Sequence, residues 1–82
     1  MASPIQSIRL QSVVSATTYQ ELNSISILNN SADDLNIINV TNGGAIILRQ
    51  EQSVTITSST GFVLPTLTLS STGSINASVI TT

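Results

Sequence analysis

The chain has 82 residues, enough for a single domain, since domains usually run ~50–250 residues. Thirty-seven of them are Ser, Thr, Asn or Gln, 25 are Ile, Leu or Val, and six are charged, for a formal net charge of −2. The absence of His and Cys removes the usual zinc ligands, a thiol nucleophile and an imidazole base, and two Arg with no Lys argue against nucleic acid as a partner.

In chain order, Met1–Pro4 leads into alternating sequence without the basic start and apolar run of a secretory leader, so cytoplasmic synthesis is expected. Residues 1–5 read either as an extended N-terminal arm, with Pro4 and Ile5 suited to strand addition on a neighbouring sheet, or as a frayed end. Ile8 and Leu10 then share a strand face, followed by Val13 and Val14. A helical turn fits Ala16–Leu22, and the next strand sets Ile25 and Ile27 against Ser24 and Ser26. The run Asn29–Asp34 is a turn of short polar side chains that bond their own backbone. From Leu35 to Thr41 the alternation slips at Ile37-Ile38, as a bulge or a strand buried on both faces would require.

Asn42-Gly43 between apolar runs predicts a tight hairpin with positive φ at both positions. Ala45–Leu48 is continuously apolar, the pattern of a central strand. Val54–Thr57 alternates again, Phe62 and Leu64 read as core, and Pro65 marks an edge or bend. Leu67 and Leu69, then Ile75, Ala77 and Val79, complete the pattern. The fold class is therefore all-β: one small antiparallel β-sandwich or barrel of about six to eight short strands, spanning 1–82. No stretch approaches the ~20 apolar residues that span a bilayer, so no membrane is implied.

Chemistry-bearing patterns are sparse. Asp33-Asp34 with Asn29 and Asn30 offers oxygens, but at a spacing that matches no calcium loop, so neither metal nor cofactor is expected. Glu21 and Glu51 are the only other carboxylates, and one Tyr and one Phe hardly line a sugar cleft between them. Ser is plentiful without a base to activate it, so no catalytic residue is assigned and the chain reads as non-enzymatic. Asn29, Asn39 and Asn76 head Asn-x-Ser/Thr triplets at a frequency that chance supplies in so Ser/Thr-rich a chain. Thr55/Thr57 and Thr66/Thr68 set hydroxyls in rows, as a face that orders water would. Arg9, Tyr19 and Arg49 are the residues suited to anchor a partner, with Arg49 alternatively pairing Glu51 along one strand face.

Charged residues make up 7% of the chain against a typical ~25%. Uncharged edge strands associate readily, so either Ser, Thr and Asn hydrate the surface alone or copies and partners cover much of it.

The whole chain resembles the small virion accessory proteins of tailed bacteriophages, especially capsid decoration or cement proteins. The resemblance is carried by the Met-Ala-Ser-Pro start, the Asn39–Gly44 hairpin, and the run Gly61–Leu69 followed by Ser71–Ser74 and a final strand. It implies a β-sandwich seated on an icosahedral shell, made in the host cytoplasm and located in the virion. The major capsid protein or another virion protein would be its partner, and a homo-oligomer, a trimer at three-fold positions, its state. A tail, fibre or head-completion subunit is the alternative of the same class. A monomeric surface-binding module for ice, glycan or a receptor is the alternative from another class.

Overall fold

The computed structural model describes residues 8–82, which form eight short strands and no helix. These are β1 (Arg9–Val13), β2 (Thr17–Tyr19), β3 (Ser24–Asn29), β4 (Leu35–Asn39), β5 (Ala45–Leu48), β6 (Ser53–Thr57), β7 (Leu67–Ser70) and β8 (Ala77–Thr81). They make two four-stranded antiparallel sheets, ordered β1-β8-β3-β6 and β2-β7-β4-β5. The fold is a sandwich, and the barrel alternative falls away because neither sheet closes on itself or on the other.

Period-two alternation accounts for the layers. Ile25, Ile27 and Val79 of the first sheet and Leu35, Ile37 and Leu69 of the second are all essentially buried in one core. Burying each such side chain is worth ~1.5–3 kcal/mol. Only β4 and β5 are consecutive in both chain and sheet, and each of the other six connections crosses from one layer to the other.

Several expectations are corrected. Thr17–Tyr19 is strand, not helical turn: pairing Thr17 with Leu69 and Tyr19 with Leu67 lets Tyr19 cover the core edge. β5 is an edge strand, not a central one, and of its four residues only Leu48 is buried. Phe62 is 70% exposed, not core, whereas Leu64 two residues on is buried. No bulge interrupts β4, whose register runs unbroken past both neighbours; Ile38 is half-buried on its outer side. Pro65 stands in the β6–β7 connection, outside any strand.

The Asn42-Gly43 hairpin is wider than a two-residue turn. Asn39 and Gly44 close it, and only Gly43 takes positive φ, at 75°. Asn39 and Asn42 side-chain oxygens accept the Thr41 and Gly44 N–H groups at 3.0 and 2.8 Å, which satisfies the longer loop.

The polar turn after β3 holds one end of the sandwich. Asn29 is fully buried, and its amide donates to the carbonyls of Asp33 (3.0 Å) and Leu48 (2.9 Å). Its side-chain oxygen accepts from the Ser31 N–H (3.0 Å) and from the Ser31 hydroxyl. Among the described residues no buried side-chain polar atom lacks a partner. Asp33 in turn accepts the Ser74 N–H at 2.9 Å, and its carboxylate fills the space that a Cβ at Gly73 would need.

Asn29→Ala removes the Asn29 side-chain bonds at once and takes a donor from the buried Leu48 carbonyl, while the Asp33 carbonyl keeps only the Ser31 hydroxyl. The expected loss is about 3 kcal/mol, read as a lower urea midpoint. Glu51, by contrast, sits at φ 64°, where a side chain is disfavoured. Glu51→Gly is expected to raise stability by about 0.5–1 kcal/mol, read as a higher urea midpoint at unchanged slope.

Candidate interaction surfaces

The outer face of the first sheet follows from its register. One row reads Leu10, Ile80, Ser26, Thr55 across β1, β8, β3 and β6, and the next reads Ser12, Ser78, Leu28, Ser53. Leu10, Ile80 and Leu28 are 75%, 44% and 38% exposed, so they form an apolar diagonal among hydroxyls. Not one residue in these two rows is charged. The hydroxyls partly satisfy each other: Ser26 meets Thr55 at 2.9 Å, and nearby Ser24 meets Thr82 at 2.6 Å. Such a face can exchange its hydration for contact with a flat protein surface at little electrostatic cost.

A second feature lies on the open side between β1 and β2, the edge strands of the two sheets. Arg9 and Gln11 fall on the inward parity of β1, since they pair with Thr81 and Val79. At the sandwich edge they cannot be covered, so they reach towards β2. Tyr19 donates its hydroxyl to Gln11 Oε1 at 3.0 Å and ties the two sheets together. Arg9, Tyr19, Gln20, Leu22 and Thr81 line a hollow of about 420 Å³. Burial pushes the Tyr19 hydroxyl pKa up from the usual value, and the Arg9 guanidinium opposes this only in part. A neutral phenol beside a cation suits a partner's carboxylate or backbone carbonyl.

Arg49 lies elsewhere. It stands in the β5–β6 connection, where its N–H donates to Gln52 Oε1 at 2.9 Å, at the Asn29 end of the sandwich. Arg9 lies at the other end, on the strand position paired with Thr81. Arg9 and Tyr19 thus belong to one site and Arg49 does not. The strand-face pairing of Arg49 with Glu51 is corrected too, because both occupy the turn and Glu51 is left-handed. Pro4 and Ile5 lie outside the described residues.

The remaining patterns resolve geometrically. Glu21 precedes β3 and Glu51 bonds the carbonyl at its far end, which separates them by roughly the strand's ~20 Å. Paired carboxylates of glycoside cleavage stand ~5–9.5 Å apart. Among the described residues no three His, Cys, Asp or Glu side chains gather as metal ligands. Thr55 and Thr57 lie on the outer face of β6, while Thr68 bonds Thr18 across β7 and β2 at 3.1 Å and Thr66 precedes β7, so the two Thr pairs make no common face. Asn29, first of the Asn-x-Ser triplets, is buried.

The apolar diagonal does not follow from single-residue alternation, although the sequence carries a signal for it. Ile27-Leu28 and Val79-Ile80 are adjacent aliphatic pairs, and in each the first residue enters the core while the second faces out.

Tyr19→Phe deletes the Gln11 bond at a partly exposed site, with an expected cost of about 0.5–1 kcal/mol. Because the folded-state pKa is raised, the tyrosine's contribution is complete below its unfolded pKa of ~10 and is lost as pH rises through the folded value. Chemical denaturation between pH 8 and 11 is expected to show an alkaline fall in stability that Tyr19→Phe flattens.

No protein-family model matches this chain, and no curated protein or solved structure does so either.

Proposed function

We propose that this chain is a non-enzymatic structural protein of a bacteriophage virion, bound to the outer surface of the capsid as a decoration or cement subunit. The observation that carries this reading is the uncharged outer face of the first sheet, with Leu10, Ile80 and Leu28 exposed among Ser and Thr. A freely diffusing protein gains nothing from exposing these side chains, whereas a subunit seated on the major capsid protein buries them. An interface of ordinary size takes ~800 Å² per partner, a large share of a surface of 5516 Å².

The energetic role follows from mass action. A subunit that binds the assembled shell and not its separated parts stabilises the shell by RT ln(1 + [L]/Kd). Low charge lets copies crowd without repelling one another, and linking copies into a homo-oligomer multiplies weak contacts. The Arg9–Tyr19 hollow supplies a polar anchor at the border of the apolar face.

Density-gradient purification of particles from cells that make the chain, with quantitative mass spectrometry, tests the proposal. The expected result is co-sedimentation at a copy number comparable to that of the main shell subunit. A handful of copies per particle would place it in a tail, fibre or head-completion site instead, and a chain left at the top of the gradient would overturn a virion role. Leu10→Asp with Ile80→Asp is expected to release the chain from particles while its thermal midpoint stays within a few degrees of the original.

A further inference from the structure

The second sheet ends in β5, whose four residues Ala-Ile-Ile-Leu include no charge, no proline and no bulge, the devices that ordinarily protect an exposed edge. Its phase is fixed by its pairing with β4. The Asn39 N–H donates to the Gly44 carbonyl at 2.7 Å, and from that point alternate pairs are bonded. Ile46 and Leu48, with the Gly44 carbonyl, therefore spend their backbone groups on β4, and Ala45 and Ile47 turn theirs to the open side. Ile46 and Ile47 also stay 42% and 57% exposed. Ile46 lines a largely apolar cleft of about 370 Å³ between the sheets, together with Ile37, Ile56, Pro65 and Leu67.

We infer that β5 is a contact between two copies of this chain, paired antiparallel about a two-fold axis that sets Ile46 opposite Ile46 of the second copy. In that register Ala45 of each copy meets Ile47 of the other, and their N–H and C=O groups close four hydrogen bonds with none left over. The Ile46 side chains meet at the mouths of the two clefts. Arg49 falls opposite Gly43, beside which there is open space, so no like charges are brought together. The two second sheets become one eight-stranded sheet, and an isologous contact of this kind closes on itself. The other long edges fit less well: Arg9 stands on β1, and β6 alternates exposed Ser53, Thr55 and Thr57 that water already hydrates.

The inference rests on the proposed role as an assembly subunit and specifies how its copies join, with a two-fold in place of the three-fold that the resemblance implies. The chain lacks cysteine, so one introduced thiol reports the register directly. Opposed residues of a non-hydrogen-bonded antiparallel pair have Cα atoms ~4.5 Å apart, inside the ~4.4–6.8 Å range of disulfides. Ile46→Cys is expected to convert almost wholly to a covalent dimer under mild oxidation, with Ile80→Cys, on the other sheet's outer face, as the control. In light scattering the unmodified chain is expected to rise with concentration to twice its 8.6 kDa. Ile47→Lys and Ala45→Pro, which change only outward-facing groups, are expected to hold it at the monomer mass with unchanged circular dichroism. Cross-linking of Ile46→Cys no faster than Ile80→Cys, a trimer, or a dimer that survives both edge variants would overturn the two-fold contact. Particle association is read separately in the gradient, so a chain that sediments with particles yet fails these tests keeps its proposed role and loses this contact.

Discussion

The side chain of Asn29 is the constraint on which the rest of this fold depends. It is completely buried, and it joins the end of β3 to the Asp33 turn and to the last carbonyl of β5. The backbone around it continues the tie: Asn29 accepts from the Glu51 N–H at 2.7 Å and donates to the Gln52 carbonyl at 2.9 Å. One residue thus clamps both sheets and two connections. A buried amide is costly when unpaired, so the alternatives to this arrangement are penalised more heavily than the arrangement itself is rewarded.

That penalty matters because the aliphatic pattern alone is permissive. Ile27-Leu28, Ile37-Ile38, Ile46-Ile47 and Val79-Ile80 each place an aliphatic on both faces of a strand. A slip of one residue flips every side chain to the other face. In most sheets the slip buries charge; here it would bury uncharged Ser, Thr and Asn and exchange one aliphatic of each pair for the other. A single buried polar residue with demanding geometry restores the discrimination that charge provides elsewhere, as a lone polar residue does in other uniform interfaces.

The same pairs explain what was legible in the sequence. The all-β class and the inward Ile25, Ile27, Leu67, Leu69 and Val79 follow from alternation, which responds to a single buried face and leaves sandwich and barrel alike open until the sheet order is known. The rank of a strand within its sheet does not follow from it. Ala45–Leu48 has the composition of a central strand and lies at an edge, because an unbroken apolar run can mean two protein neighbours or one neighbour and one bare flank. Phe62 falls outside the core for a related reason: the β6–β7 connection can bury only one of its apolar residues, and Leu64 takes that place by donating its N–H to the Leu22 carbonyl at 2.7 Å. Of the candidate anchors, Arg9 and Tyr19 meet because β1 and β2 border the same opening, a relation between different sheets that residue spacing does not encode.

Shortage of charge and surplus of aliphatics are then two sides of one design. A chain with six charged residues cannot hold its surface apart from other surfaces by repulsion, and its outward-facing aliphatics favour contact. Free in solution, such a surface is a liability that edge charges usually remove. In an assembly of fixed geometry it is the means of cohesion, because each copy meets the same neighbours in the same orientation. Ser and Thr fill the positions between the aliphatics, and on the first sheet the Ser26 and Thr55 hydroxyls bond one another across strands, so less hydration has to be stripped when the face is covered. The face keeps enough polarity to remain folded in water and too little charge to resist docking. That balance suits the proposed role, in which the face is held permanently against something larger.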